Sequence, residues 1–269
     1  METKYNILII YKRVKPILTD NILEIQDLTV QVEGKKILND INLEIPDGEV
    51  HVLFGPNGSG KSSLLMTVLG IPSYKVVSGS ILFKGKNVTH MPINERVKLG
   101  ISVAFQNPPA IRGVKLGGIL EHLTTNKKEV GTLMEKVKFP QEFLDRDVNL
   151  GFSGGEVKKS EILQVLAQDS NFVMLDEPDS GVDVENLQIV GNLINDMLLK
   201  KSALLITHQG HILRYVNADK AHVLINTTIA CSGEPVNILT QILNEGYGWC
   251  MKCPKTTKPQ QRQRTSPLH

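Results

Sequence analysis

The run Gly55-Pro56-Asn57-Gly58-Ser59-Gly60-Lys61-Ser62-Ser63 has the residue types and spacing of a loop that wraps polyphosphate. Its glycines let consecutive backbone N–H groups turn onto phosphate oxygens, and a helix opening near Lys61 adds the positive potential of its N-terminus. In that arrangement Lys61 reaches the β- and γ-phosphates and the Ser62 hydroxyl ligates Mg²⁺, while Ser63 is expected to pack or cap. Downstream, Phe172-Val173-Met174-Leu175-Asp176-Glu177 reads as an apolar strand ending in two carboxylates. Asp176 is expected to hold Mg²⁺ through water. Glu177 is expected to polarise the attacking water as general base, a task that needs a carboxylate within hydrogen-bond reach.

These residues need elements that point them at one place. Val50 to Phe54 is a buried-strand run entering the glycine-rich loop, and Ser62 to Leu69 takes helical periodicity, so the order is strand, loop, helix. Before it, from Ile22 to Val50, apolar and polar residues alternate in runs broken by Glu33-Gly34 and Pro46-Asp47-Gly48, which predicts antiparallel strands. Ser80–Phe83 and Ile101–Phe105 read as a second strand pair, and residues 108–160 as a helical subdomain. Helical periodicity over Gly155–Ala167 leads into short apolar runs at Phe172–Leu175, Ala203–Ile206 and Val223–Ile225 separated by helical stretches. The fold class expected is α/β: a mainly parallel core sheet covered on both faces, with an antiparallel β subdomain and a helical subdomain.

Of the 269 residues, 41% are hydrophobic and 22% charged, enough to bury one large core and too ordered a composition for wholesale disorder. The net charge of +2 is unevenly placed. Lys4, Lys12, Arg13 and Lys15 outweigh Glu2 at the start, Lys252, Lys255, Lys258, Arg262 and Arg264 are unopposed at the end, and the body is net negative. A phosphate-tracking surface needs cations on a folded face, so no nucleic-acid partner is expected. No stretch approaches the roughly 18 apolar residues of a membrane span, so no direct membrane insertion is expected. Three cysteines without a disulfide framework fit a reducing, cytoplasmic location. Residues 1–21 read as an N-terminal extension, 22–249 as the folded domain, and 250–269 as a basic tail with little to bury. Cys250 and Cys253 have metal-ligand spacing but supply two ligands where a closed site takes four; Cys231 or a second copy is needed to complete one, and accidental thiols are the plainer reading.

Phe152-Ser153-Gly154-Gly155-Glu156, lying before the Asp176-Glu177 strand, resembles the signature motif of the ATP-binding cassette (ABC) ATPases, so the two phosphate-site motifs resemble that family's Walker A and Walker B. The resemblance implies that Ser153, Gly154, Gly155 and Glu156 open a helix facing the γ-phosphate of ATP bound by a second subunit, hence ATP-dependent homodimerisation. It also implies a Q-loop glutamine in Gln106, a D-loop residue at the dimer contact in Asp183, and a switch histidine in His208. Gln106 would meet Mg²⁺ and the attacking water, and His208 would bond the γ-phosphate. The family stacks adenine on an aromatic residue upstream of the loop, worth about 1–3 kcal/mol. Here the matching stretch Leu28 to Gly34 offers only Val32.

Within that family, several segments between Ile22 and Trp249 resemble the SufC group, the ATPases of the Suf iron–sulfur cluster assembly machinery. They are Ala104 to Ile111 followed by Gly113-Val114, Phe152 to Gln164, Asp176 to Asp183, and Glu245-Gly246-Tyr247-Gly248-Trp249. The absent stacking aromatic is also similar to that group, whereas the two ends of the chain fall outside it. The resemblance implies SufB-type scaffold partners, with SufD-type proteins as second candidates, and docking through the segment after Gln106, stiffened by Pro108-Pro109. The competing reading, the ATP-binding subunit of an ABC membrane transporter, uses the same motifs and is separated only by these segments.

Overall fold

A computed structural model describes residues 20–124, 127–208 and 210–252. Most of the N-terminal extension, and the tail from Cys253 onward, lie outside the described residues. In chain order the strands and helices are β1 (Asn21–Val32), β2 (Lys35–Pro46), β3 (Val50–Phe54), α1 (Lys61–Leu69), β4 (Lys75–Phe83), β5 (Lys86–Asn87), α2 (Ile93–Lys98), β6 (Ile101–Ala104), α3 (Leu116–Leu123), α4 (Lys127–Val137), α5 (Gly154–Ala167), β7 (Phe172–Asp176), α6 (Val184–Leu198), β8 (Ser202–Ile206), β9 (Lys220–Ile225), β10 (Thr228–Gly233) and α7 (Pro235–Glu245). Short 3-10 turns cover Gln141–Asp145, His211–Arg214 and Tyr247–Lys252.

Two sheets result. β2, β1, β4 and β5 form an antiparallel sheet, and the core sheet runs β10-β9-β3-β8-β7-β6. In the core sheet β9, β3, β8, β7 and β6 are parallel and β10 is an antiparallel edge. The α/β fold expected from the sequence is therefore present, with one correction. Ser80–Phe83 and Ile101–Phe105 are not a pair: β4 pairs with β1, β6 pairs with β7, and Phe105 lies past the strand's end. Alternating apolar residues fit either partner equally, and only the crossing through α2 separates them.

Side-chain alternation explains how the parallel strands hold the fold. In β7, Val173 and Leu175 enter one core with Val50, Val52 and Phe54, while Phe172 and Met174 enter a second core shared with the antiparallel sheet and α1. All five residues of β3 and of β7 are buried, which is why both read as short continuous apolar runs. Strands pinned on both faces deliver their C-terminal ends to one edge of the sheet, where ligands of such sheets bind.

The stretch between β6 and β7 carries α3, α4 and α5. Phe139 stacks on Phe143 at 4.4 Å, Phe152 meets Phe143 edge-on at 4.9 Å, and the Arg146 guanidinium lies 4.5 Å above the Phe143 ring. This cluster fixes the chain just before Ser153 and so sets where α5 begins.

Candidate active site

At the C-terminal end of β3 the chain turns through Gly55, where a Cβ would lie 2.3 Å from the Leu224 carbonyl oxygen, so only glycine fits. Lys61 is buried, its Nζ donating to the carbonyls of Gly55 at 2.9 Å and Pro56 at 3.1 Å. Burial pushes its ammonium down, while Glu177 and Asp176 hold it up. The buried Ser59 hydroxyl has no hydrogen-bond partner among the described residues. A buried, unsatisfied hydroxyl inside a glycine-rich loop is a donor waiting for an anion.

Strand β7 brings the carboxylates. Ser62 Oγ donates to Asp176 Oδ1 at 3.2 Å, and burial raises the Asp176 carboxyl despite that bond. A buried carboxylate beside a hydroxyl is a hard-oxygen pair suited to Mg²⁺, which takes few protein ligands and keeps water and phosphate in its shell. No group of three or more His, Cys, Asp or Glu placed to hold a metal occurs among the described residues. Glu177 stands in the left-handed region, φ 46°. It is held there by its N–H to Ile206 O at 3.0 Å and by Ser180 N–H donating to its carbonyl at 3.1 Å. Left-handed backbone at a non-glycine residue costs energy and re-aims the side chain away from the strand's line.

Three further elements converge. The Gln106 side-chain amide donates directly to Glu177 Oε2. Lys158, buried on α5, donates to the carbonyls of Gln106 at 2.8 Å and Glu177 at 3.4 Å, tying the glutamine loop to the end of β7. His208 follows β8 with its side chain exposed. Pro56 through Ser63, Gln106, Glu177, Ser180 and His208 line one cleft of about 890 Å³. Ser63, the last residue of the expected ATP-binding run and expected to pack or cap there, is on that lining.

The far end of the cleft departs from expectation. Lys35, Lys36 and Ile37 from the start of β2, with Asn226 and Thr227 from the β9–β10 turn, line it in place of Val32. The turn is fixed to β2 by Asn39 N–H donating to Thr227 O at 2.9 Å. Sequence offset pointed to β1, whereas the antiparallel register presents the β1–β2 tip and the residue after it.

Ser153, Gly154, Gly155 and Glu156 do not line the cleft. They open α5 with a reciprocal cap: Ser153 Oγ accepts from Glu156 N–H, and Glu156 Oε2 accepts from Ser153 N–H at 2.7 Å. The S-x-x-E spacing that signals this cap is legible in the sequence and adds a local reason for a glutamate at position 156. Gly154 abuts Gly181, so the signature helix starts beside the turn before α6. Asp183 caps α6, accepting from Asn186 N–H at 2.9 Å. Cys231 and Cys250 are buried, and Cys253 lies outside the described residues.

The comparisons agree with this geometry. Residues 38–180 match the family model described as ABC transporter. The chain is 39% identical over 241 residues to Vegetative protein 296 of Bacillus subtilis, covering 84% of this chain and 92% of that protein. It is 38% identical over 243 residues to the probable ATP-dependent transporter SufC of Escherichia coli, covering 84% and 98%. Among solved structures it resembles a nucleotide-free ATP-binding cassette from an ABC transporter, with a TM-score of 0.72 at 23% identity over 83% of this chain and 95% of that one. It also resembles a bacterial Atm1-family exporter with ATP bound, with a TM-score of 0.73 at 17% identity over 88% of this chain and 42% of that one. With its phosphate loop, paired carboxylates and signature helix in this order, and with these relatives along most of its length, the chain is an ABC-type ATPase of the SufC family.

Proposed function

We propose that this ATPase serves a cytoplasmic iron–sulfur cluster assembly complex, where two copies close on ATP and so rearrange a SufB-type, or SufB- and SufD-type, scaffold. What carries this reading over a transporter subunit is the set of SufC-like segments, Ala104 to Ile111, Phe152 to Gln164, Asp176 to Asp183 and Glu245 to Trp249. The link between Glu177 and Gln106 gives a docked partner a path to the general base. Beyond Gln106 the chain exposes Ile111 and Val114 next to Leu150 of the helical subdomain. Ile111 N–H donates to Val148 O at 3.0 Å, and Val148 N–H to Val114 O at 2.9 Å, which holds this apolar surface in shape. A partner seated there pulls on the glutamine that orients the general base. The cytoplasmic location rests on cysteine usage.

Lys61 and the loop amides bind the β- and γ-phosphates, and Ser59 adds its hydroxyl. Ser62, Asp176 and Gln106 would hold Mg²⁺, which would neutralise phosphate charge when bound. Glu177 takes a proton from water, Gln106 orients its carboxylate, and His208 bonds the γ-phosphate. Ser153, Gly154, Gly155 and Glu156 are supplied by the second copy, as the family resemblance implies; in one chain they lie outside the cleft lining. Their helix N-terminus supplies positive potential at the γ-phosphate. Asp183 sits at the contact between copies.

Lys61→Ala is expected to weaken ATP binding about ten- to a hundredfold, the scale of a lost charge-assisted hydrogen bond. Titration with a fluorescent ATP analogue measures it, and unchanged affinity removes Lys61 from the phosphates. For the complex, tagged protein is captured from its own cell extract, with soluble and detergent-solubilised fractions analysed apart. Soluble scaffold proteins are the expected partners. A polytopic membrane protein overturns the assembly reading in favour of a transporter subunit and leaves the ATPase chemistry intact. Specific activity is also expected to rise with protein concentration, since two copies complete each site.

A further inference from the structure

Glu245-Gly246-Tyr247-Gly248-Trp249 takes no part in the chemistry above, yet the fold returns it to the active site. Helix α7 ends when Gly246 N–H donates to Ile242 O at 2.9 Å. Gly246 then adopts φ 68°, ψ −177°, a conformation open essentially to glycine alone, and the chain reverses. Tyr247 and Trp249 fold back against the core that contains β3 and α7. The Tyr247 hydroxyl donates to the His208 carbonyl at 3.4 Å.

The turn that carries His208 is gripped from two sides. Inside, Gly210 N–H donates to Thr207 Oγ1 at 3.0 Å, and Thr207 Oγ1 donates to Asp179 Oδ2 at 2.7 Å. Outside, Gly210 lies so close to α7 that a Cβ there would stand 2.7 Å from Leu239 Cδ1, and Tyr247 holds the carbonyl two residues earlier. Tyr247 does not line the cleft.

We propose that Tyr247 is a positioning residue for ATP hydrolysis, its hydroxyl fixing the backbone of His208 so that the imidazole reaches the γ-phosphate. The proposal rests on the γ-phosphate role assigned to His208 above. Burial pushes the phenol up from its usual range, opposed by the Gly55 backbone amide facing it, so the group stays protonated and able to donate at neutral pH. The hydroxyl thus ties the segment after α7 to the histidine turn.

Tyr247→Phe in the full chain removes only the oxygen and keeps the ring in the core. At saturating Mg-ATP, kcat is expected to fall about five- to tenfold, the scale of one hydrogen bond, with KM within about twofold of wild type. In a His208→Ala background the same substitution is expected to change nothing further, because the group being positioned is gone. An unchanged kcat, or an equal loss in both backgrounds, overturns the proposal and leaves Tyr247 as packing. His208→Ala turning over at the wild-type rate instead overturns the reading of His208, and the proposal with it.

Discussion

Glu177→Gln is expected to lower ATP turnover a hundred- to ten-thousandfold while leaving ATP binding near wild type, and to accumulate closed dimers in Mg-ATP. The range is what a positioned general base contributes, about 3–5 kcal/mol of activation free energy. The amide is nearly isosteric, and its oxygen can still accept from Gln106, so the loop geometry survives. Its nitrogen cannot take the proton from water. The backbone bonds that hold position 177 at φ 46°, to Ile206, Ser180 and Lys158, do not involve the side chain and also survive. In the proposed mechanism binding rests on Lys61, Ser62 and loop amides, which the substitution does not touch. Single-turnover hydrolysis and size-exclusion chromatography with Mg-ATP measure the two halves. Wild-type turnover assigns the base elsewhere, and loss of ATP binding makes Glu177 a binding group.

Much of this site is legible because its parts are local. The β3–loop–α1 unit, the β7 run ending in Asp176-Glu177 and the start of α5 each lie within about twenty residues, so their spacing is enough to point to their conformation and to the roles proposed for them. What sequence spacing does not reveal comes from contacts between distant segments. Lys158 looks like one more cation in an amphipathic helix, but the docking of α5 buries it against the carbonyls of residues 106 and 177. Lys35, Lys36 and Ile37 reach the cleft because the β1–β2 hairpin leans over it, which no pattern within β2 encodes. Tyr247 meets His208 across 39 positions. The SufC-like segments flagged two of these places, the stretch containing Lys158 and the one containing Tyr247, but could not say what either residue touches.

Arg96 belongs with these, and it carries the second large expectation. It is 2% exposed, and among the described residues no carboxylate pairs with it. Its guanidinium instead fans over four carbonyls: Nε donates to Met91 O at 2.8 Å, Nη1 to Thr67 O at 2.9 Å and Val68 O at 2.8 Å, and Nη2 to Thr89 O at 2.9 Å. Thr67 and Val68 are in the last turn of α1, where helical carbonyls lack intrahelical partners and a cation meets the negative end of the helix dipole. Burial lowers the guanidinium to about 10, so it remains charged at neutral pH. Arg96→Met fills similar volume and takes the guanidinium donor from the Val68, Thr89 and Met91 oxygens, while Thr67 O keeps the Gly70 N–H at 3.1 Å. It is expected to cost about 3–5 kcal/mol of folding stability, read from the urea midpoint. Arg96→Lys keeps the charge but cannot span four acceptors with one ammonium, so most of that loss should remain. An unchanged midpoint for Arg96→Met means that the carbonyls find water and that the fan is dispensable. The helix held at its C-terminus by Arg96 carries Lys61 and Ser62 at its N-terminus, so Mg-ATP, which binds only the folded loop, should recover part of the loss by mass action.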